Sequence, residues 1–242
     1  MPTSPRFWTR FPAHLAVNKK VILSEQQNKN LAQKTRWSID DPKFRHRAVM
    51  GLFGDIDSQS PRSELSILYR FETLPGQAPY FLVQSTQAPV HHLNLDGVQV
   101  RKVDITAPAE GTEVEFRITV NAVARRSVEI PDGSKENTKR KEVIRPLSMD
   151  PLPDGSGDSE VSAWLKAKLS PALDNMTINR HGRQVLGANR RGAHKNTRVV
   201  QVDMFDGVAT VKDSDALHTL LLNGLGRAKS YGCGLLTIRP LG

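Results

Sequence analysis

The sequence predicts an α+β fold made of two units in tandem, each close to the element order β-α-β-β-α-β. Segments that alternate apolar and polar residues, typical of half-buried strands, recur between segments with the apolar period of amphipathic helices. The chain has 242 residues, which is enough for two domains of about 100 to 120 residues. We expect the following division: an N-terminal domain over residues 1–126, a loop and linker over 127–157, and a C-terminal domain over 158–242.

The first unit begins with a predicted strand and then a strongly marked helix. The helix spans residues 40–53, where Asp40 or Asp41 can cap its first turn and Pro42 suits that turn. The sequence leaves open whether the polar residues 18–38 form a helix or a loose insertion. The strands that we expect in this unit cover residues 7–17, 64–72, 80–85 and 111–125.

The second unit is expected after a loop over residues 127–140 and a Pro/Gly-rich linker over 146–157. A helix from Asp158 or Ser159 to Leu169 comes next, with a leading strand expected near Val143. The remaining expected elements are two strands over 199–204 and 208–211 around a turn at 206–207, a helix over 215–222 and a last strand over 234–238. This order is that of a second, more divergent ferredoxin-like unit.

The net charge of +9 indicates a polyanionic partner, most often a nucleic acid. No apolar run is long enough to cross a membrane, and the first ten residues lack the apolar region of a signal peptide. The single cysteine, Cys233, excludes an internal disulfide, and no Cys/His group has zinc spacing. We therefore expect a cytoplasmic protein without a metal or other cofactor.

Three basic side chains share one face of the helix over residues 40–53. Lys43, His46 and Arg47 lie at positions i, i+3 and i+4. A histidine transfers protons near neutral pH, and neighbouring cations stabilise negative charge on a phosphate. From the residues alone, His46 is open between a proton-transfer role and an exposed place on a basic surface.

A glycine-rich segment over residues 223–236 precedes the last predicted strand. Its backbone N–H groups, together with Arg227 and Lys229, suit a phosphate, but its glycines also suit a tight packing turn. Cys233 is predicted to be a small core residue. Tyr231 is open between stacking on a base and packing in the core.

The most basic stretch covers residues 179–198, and it contains no acidic residue. Residues 187–196 resemble the tip of a long hairpin. Charge runs are usually solvated surface, but the absence of acidic residues favours contact with nucleic acid here.

Four segments together resemble the CasE family, the CRISPR repeat-processing endoribonucleases of the type I-E Cascade complex. The most specific is Gly-Leu-Gly-Arg-Ala-Lys-Ser-Tyr-Gly-Cys-Gly-Leu-Leu at 224–236. Residues 41–47 resemble the family's Asp-Pro-Tyr-x-x-His segment. Residues 80–85 resemble an apolar strand that ends in Val-Gln-Ser, and residues 116–126 resemble Phe-Arg-x-x-x-Asn-x-x-x-Arg.

This resemblance implies two tandem ferredoxin-like domains and metal-independent cleavage of CRISPR repeat RNA at the base of its stem-loop. The 2′-hydroxyl attacks, a 2′,3′-cyclic phosphate forms, and the mature guide RNA stays bound as the protein joins the other Cascade subunits. Outside that complex we expect a monomer.

The same resemblance favours His46 as general acid or base and Lys43 as electrostatic support. It also implies a hairpin that enters the repeat stem. The residues expected to contact RNA are Arg47, Arg183, Arg190, Arg191, Lys195, Arg198, Gly224, Gly226, Arg227 and Lys229.

One departure leaves an alternative open. Many family members carry a tyrosine three residues before the histidine, and this chain has Lys43 there. A non-catalytic subunit that binds an RNA hairpin is therefore the second hypothesis. A DNA-binding or general basic scaffold protein is the third, and similar affinity for duplex DNA would distinguish it.

Overall fold

The computed structural model describes residues 4–17, 38–90, 96–131, 138–188 and 198–242. Two four-stranded antiparallel sheets and one two-stranded hairpin form its framework. Among the described helices, none has both the length and the apolar character needed to cross a bilayer.

The first sheet carries short helices on one face. Its elements in chain order are β1 (Ser4–Pro12), α1 (Ala13–Val17), α2 (Pro42–Met50), a 3₁₀ turn (Gly51–Phe53), α3 (Pro61–Glu64), β2 (Leu68–Glu72), β3 (Tyr80–Ser85) and β4 (Gln99–Ile105). Alternate residues of β1 and β3 point to the helices, so Phe11 and Phe81 are fully buried against Val49 and Leu52 of α2 and the turn after it.

The second sheet is built in the same way around a larger core. Its elements are β5 (Glu113–Val120), α4 (Glu160–Leu169), β8 (Leu173–Leu186), β9 (Val200–Val211), α5 (Ser214–Asn223) and β10 (Leu236–Pro240). Between β5 and α4 the chain forms a separate hairpin of β6 (Val123–Pro131) and β7 (Thr138–Pro146). Phe116 and Ile118 of β5 pack against Leu165 of α4 and Leu217 of α5.

The two sheets share one strand order. The first runs β2-β3-β1-β4 and the second β10-β5-β9-β8. Numbered within each unit, both are the order 4-1-3-2 of a ferredoxin-like fold, which confirms the predicted fold class.

The strand expected to complete the first unit belongs to the second. The strand predicted over 111–125 is β5, and it pairs with β9 and β10. The fourth strand of the first sheet is β4, which the sequence did not indicate because Arg101, Lys102 and Asp104 are exposed on this edge strand. The chain therefore changes sheets between residues 105 and 113, and the boundary expected at residue 126 is wrong.

Two other segments differ from expectation. Much of the predicted loop over 127–140 lies in β6 and β7. The two strands expected around a turn at residues 206–207 are one strand, β9. Gly207 lies inside β9. Only glycine fits at this position, because a Cβ there would be 2.4 Å from the Thr177 carbonyl oxygen and 2.7 Å from the Phe116 ring. This glycine serves a close approach between strands rather than a turn.

A buried ion network joins the two sheets through β2. Arg70 is 2% exposed, and its Nη1 donates to the carbonyl oxygens of Arg117 at 3.0 Å and Leu235 at 2.9 Å. Its Nε donates to Glu72 at 2.7 Å, and Glu72 also accepts from Arg117 at 3.2 Å. Because every charge here has a partner of opposite sign, this buried network along β2, which we call the seam, holds the sheets together and does not attract a polyanion.

Candidate active-site cleft

The position of His46 depends on how α2 begins and on which face it buries. The Asp41 side chain caps the helix by accepting from the Lys43 backbone N–H at 2.9 Å, and Pro42 occupies the first turn. Phe44, with 4% exposure, and Val49, with none, point into the core. The predicted helix is confirmed, and its packing leaves His46 half-buried beside the core face.

His46 lines a cleft of about 530 Å³. The loop after α2, the short helix α3 and one residue of the glycine-rich segment form the rest of the lining: Met50, Gly54, Asp55, Ile56, Gln59, Ser60, Pro61, Arg62, Ser63 and Ser230. Lys43 and Arg47 are exposed and lie outside the lining that these described residues define. Of the three basic residues that the helix pattern grouped together, His46 is therefore the one that lines the cleft.

The environment of His46 favours its neutral form. Burial lowers the pKa of His46 below its usual value, and the positive charges of Arg62 and Arg47 lower it further. A hydrogen bond with the backbone of Ser230 partly offsets this decrease in the pKa. The buried Nδ1 has no hydrogen-bond partner among the described residues. A neutral imidazole has one nitrogen that can accept a proton.

The glycine-rich segment delivers Ser230 to the same cleft. The carbonyl oxygen of Ser230 accepts from the Tyr69 hydroxyl at 2.7 Å, and Tyr69 is buried in the first sheet. Gly232 lies over the Tyr69 ring, where a Cβ would be 3.2 Å from Cε2. Ser230 of the glycine-rich segment and His46 therefore line one cleft.

Several glycines of this segment serve its packing. A Cβ on Gly224 would be 2.9 Å from the Leu68 side chain, and one on Gly234 would be 2.8 Å from the Leu225 carbonyl oxygen. The N–H of Leu225 donates to the Gly234 carbonyl oxygen at 2.9 Å. Gly226 differs, since the nearest atom to its added Cβ is 4.0 Å away on Trp164. The packing-turn alternative therefore accounts for Gly224 and Gly234, and Gly226 stays open to a ligand.

The side chains predicted to contact RNA have different surroundings. Arg47 and Arg227 are exposed, and Gly226 lies beside Arg227. Lys229 Nζ donates to the Asn223 carbonyl oxygen at 2.7 Å, and Arg198 Nη1 donates to the Tyr231 hydroxyl at 2.6 Å. Tyr231 is partly buried and packs beside Cys233, and the guanidinium of Arg198 lies over its ring.

Arg183 is held inside the second sheet. Its Nε donates to the fully buried Asp203 at 2.6 Å, and its Nη2 donates to the Leu147 carbonyl oxygen at 2.9 Å. His181 Nε2 lies 2.9 Å from the same carboxylate. Three further predicted contacts lie outside the described residues: Arg190, Arg191 and Lys195.

The residue that precedes the cap of α2 is bonded to the end of β8, within the basic stretch. The Gly187 N–H donates to the Asp40 carbonyl oxygen at 2.8 Å, and Gln184 Nε2 donates to the Asp40 carboxylate at 3.0 Å. Arg45 is 3% exposed and lies over the Phe71 ring. These contacts hold the helix of His46 beside the C-terminal end of β8, where its pairing with β9 stops at Leu186 and Val200.

Comparison with known proteins now identifies the family. The model of a family described as CRISPR associated protein matches residues 19–240. A relative called CRISPR system Cascade subunit CasE, from Escherichia coli (strain K12), is 31% identical over 170 residues, which are 67% of this chain and 75% of that protein. The chain belongs to this CRISPR-associated family. The predicted kinship with CasE is confirmed.

Solved structures of CRISPR-associated proteins have the same fold. The crystal structure of Cas6e from Escherichia coli K-12 matches with a TM-score of 0.59 at 23% identity, over 98% of this chain and 100% of that one. Cse3 of Thermus thermophilus, bound to an RNA that represents a pre-cleavage complex, matches with a TM-score of 0.56 at 20% identity, over 98% and 100%. A chain of a CRISPR RNA-guided surveillance complex matches with a TM-score of 0.53 at 21% identity, over 98% and 100%.

Two residues that line the cleft in this family member, and a third that holds one of them, carried no signal in the sequence. Arg62 follows Pro61 in a polar loop, Ser230 lies among glycines and cations, and Tyr69, which binds Ser230, alternates as an ordinary strand residue. Only the folded chain brings Arg62 and Ser230 to the cleft of His46. Within the described residues, no group of His, Cys, Asp and Glu side chains is arranged to hold a metal ion.

Proposed function

We propose that the chain is an endoribonuclease that cuts CRISPR precursor RNA at the base of the repeat stem-loop and then keeps the guide RNA as a Cascade subunit. The observation that carries this proposal is the half-buried His46, which lines a cleft together with Ser230 of the glycine-rich segment. The relatives support it, because they are called a Cascade subunit and a CRISPR endoribonuclease bound to RNA.

The chemistry requires one proton acceptor at the start of the reaction. The 2′-hydroxyl oxygen attacks the adjacent phosphorus while its proton passes to neutral His46. The bond from phosphorus to the 5′-oxygen breaks, a 2′,3′-cyclic phosphate forms, and the leaving oxygen takes a proton from solvent. The lowered pKa of His46 favours the role of base, since the imidazole is neutral at neutral pH. This scheme uses no metal ion.

The test compares two histidine variants on the cognate repeat RNA in EDTA. His46→Ala should abolish formation of the cyclic phosphate product while the RNA still binds, because the variant removes the proton acceptor and not the basic surface. His14→Ala is the matched control, since His14 is exposed on α1 and does not line the cleft. Cleavage by His46→Ala at the wild-type rate, or a strict magnesium requirement, would contradict the proposal.

One observation favours the second candidate, a non-catalytic subunit that binds an RNA hairpin. Lys43, in the place of the tyrosine that many relatives carry, is exposed and outside the lining of the cleft. The two candidates differ in their response to a 2′-deoxy nucleotide at the cleavage site. An endoribonuclease is blocked by it, whereas a binding subunit treats both RNAs alike.

A further inference from the structure

Arg62 is a cation of the cleft that the sequence did not single out. It lies on α3, lines the cleft with His46 and is half-buried. Its Nη1 donates to the Ile67 carbonyl oxygen at 3.1 Å, and its Nη2 donates to the Ser63 hydroxyl at 2.8 Å. These bonds use two of the five N–H groups of a guanidinium, and the others have no partner among the described residues. The side chain is thus anchored and still has donors to offer.

The charge of Arg62 reaches both elements that meet at the cleft. It lowers the pKa of His46 on α2 and the pKa of Lys229 in the glycine-rich segment. Arg47 also lowers the pKa of His46, but Arg47 is exposed outside the cleft lining. The carboxylate that lines the cleft belongs to Asp55, which is exposed at its rim. Among the described cations, Arg62 is therefore the one that lines the cleft with His46.

In the proposed reaction, negative charge grows on the non-bridging phosphate oxygens as the 2′-oxygen attacks. A guanidinium matches that charge because its planar fork gives two parallel hydrogen bonds to a phosphate. We propose that Arg62 binds the scissile phosphate and stabilises its developing charge, a role that sequence analysis gave to Lys43. This inference rests on the proposed function and names a second catalytic residue for the same site.

The test compares Arg62→Gln, Arg62→Lys and the control Arg239→Gln in single-turnover cleavage across a range of pH. At the pH plateau, Arg62→Gln should lower the rate by about 100-fold to 1,000-fold, the usual effect of losing one donor to developing charge. Arg62→Lys should recover part of that loss. Arg239→Gln should keep the plateau rate within about threefold of wild type, since this exposed arginine pairs with Glu115 and does not line the cleft.

A second readout separates a catalytic role from a structural one. Arg62→Gln removes a cation that lowers the pKa of His46, so NMR titration of His46 should give a higher pKa in this variant than in wild type or in Arg239→Gln. For Arg62→Gln, the midpoint of thermal unfolding and the affinity for a 2′-deoxy RNA should stay close to the wild-type values. Unchanged values would show that the variant is folded.

Three results would overturn the inference. One is a plateau rate of Arg62→Gln within about threefold of wild type, a smaller change than the loss of such a donor gives. Another is an equal loss in the control Arg239→Gln. The third is a lower plateau rate in Arg62→Gln that is explained by unfolding of the variant, together with an Arg62→Lys variant that is folded but recovers none of the rate. Failure of the proposed function is recognised separately, because then wild type does not cut the RNA or His46→Ala cuts it normally.

Discussion

The side chain that we propose as the general base is an imidazole whose neutral form the fold favours. Burial and two arginines lower the pKa of His46, and the Ser230 backbone offsets only part of the effect. Charging His46 therefore costs more in the folded protein than in water. At the scale of single residues, this cost predicts how the reaction depends on pH.

The cleavage rate should rise with pH and level off once His46 has lost its proton. A general base works only in its neutral form, so the inflection should lie below 6.5, the ordinary value for histidine. Single-turnover rates from acid to neutral pH measure it. A rate that instead falls as the pH rises through this range would make His46 the acid.

Tyr69→Phe tests the hydrogen bond that holds Ser230 in the cleft. The change removes the donor to the Ser230 carbonyl oxygen but keeps the ring beneath Gly232. We expect the free energy of unfolding to fall by about 0.5–1.5 kcal/mol, because the Ser230 carbonyl oxygen loses one donor and keeps its hydrogen bond with His46. Urea unfolding measures the change. Tyr80→Phe is the control, since its hydroxyl has no hydrogen-bond partner among the described residues, and an equal loss there would contradict this account.

At the scale of elements, a glycine can be required by a neighbouring strand even where no turn exists. Gly207 of β9 faces the Thr177 carbonyl oxygen of β8 and the Phe116 ring of β5. Gly182 of β8 has nothing within 4 Å of an added Cβ. Of these two glycines in adjacent strands, Gly207 is therefore the test position and Gly182 is its control.

Gly207→Ala should destabilise the protein, whereas Gly182→Ala should not. The added methyl group in β9 must displace backbone or an aromatic ring, which costs about 1–3 kcal/mol. At Gly182 the methyl group has room, and the loss of chain entropy in the unfolded state stabilises by up to about 1 kcal/mol. Thermal unfolding of both variants measures this difference. Similar midpoints for the two would show that the close approach in β9 relaxes freely.

At the scale of the whole molecule, the seam along β2 holds the first sheet, with His46 above it, against the second sheet, which carries the glycine-rich segment. Leu68 contacts Gly224, Tyr69 binds Ser230, and Arg70 binds the carbonyl oxygens of Arg117 and Leu235. Successive residues of one short strand thus align the two halves of the cleft. The integrity of the site depends on this seam.

Arg70→Ala should lower the free energy of unfolding by about 3–5 kcal/mol, because it removes one member of a buried ion network. Arg239→Ala is the control, since its ion pair with Glu115 is at the surface, with the arginine side chain 73% exposed. An exposed pair contributes at most about 1 kcal/mol. Urea unfolding of both variants decides the matter, and equal losses would mean that the buried network contributes no more than a surface pair.

Local patterns were sufficient for much of the fold. The capped helix around His46, the strand over 80–85 and the helix that ends at Leu169 all follow from side-chain periodicity and end signals, which act over a few residues. The burial of Cys233, whose pKa is raised to about 12, also agrees with its predicted place in the core. The glycine-rich segment carried the resemblance to the family, since its residues are specific in order and spacing.

Only the tertiary structure decided which strand joins which sheet and which groups surround His46. Strand β5 alternates as well for one sheet as for the other, so its pattern could not show that it pairs with β9 and β10. Arg62 and Ser230 reach the cleft from segments about 170 residues apart. Such contacts depend on how two sheets pack, and packing at that distance leaves no periodic trace in the amino-acid sequence. The sequence by itself therefore determined the family and the fold class and drew attention to His46, and the packed chain determined which residues surround His46.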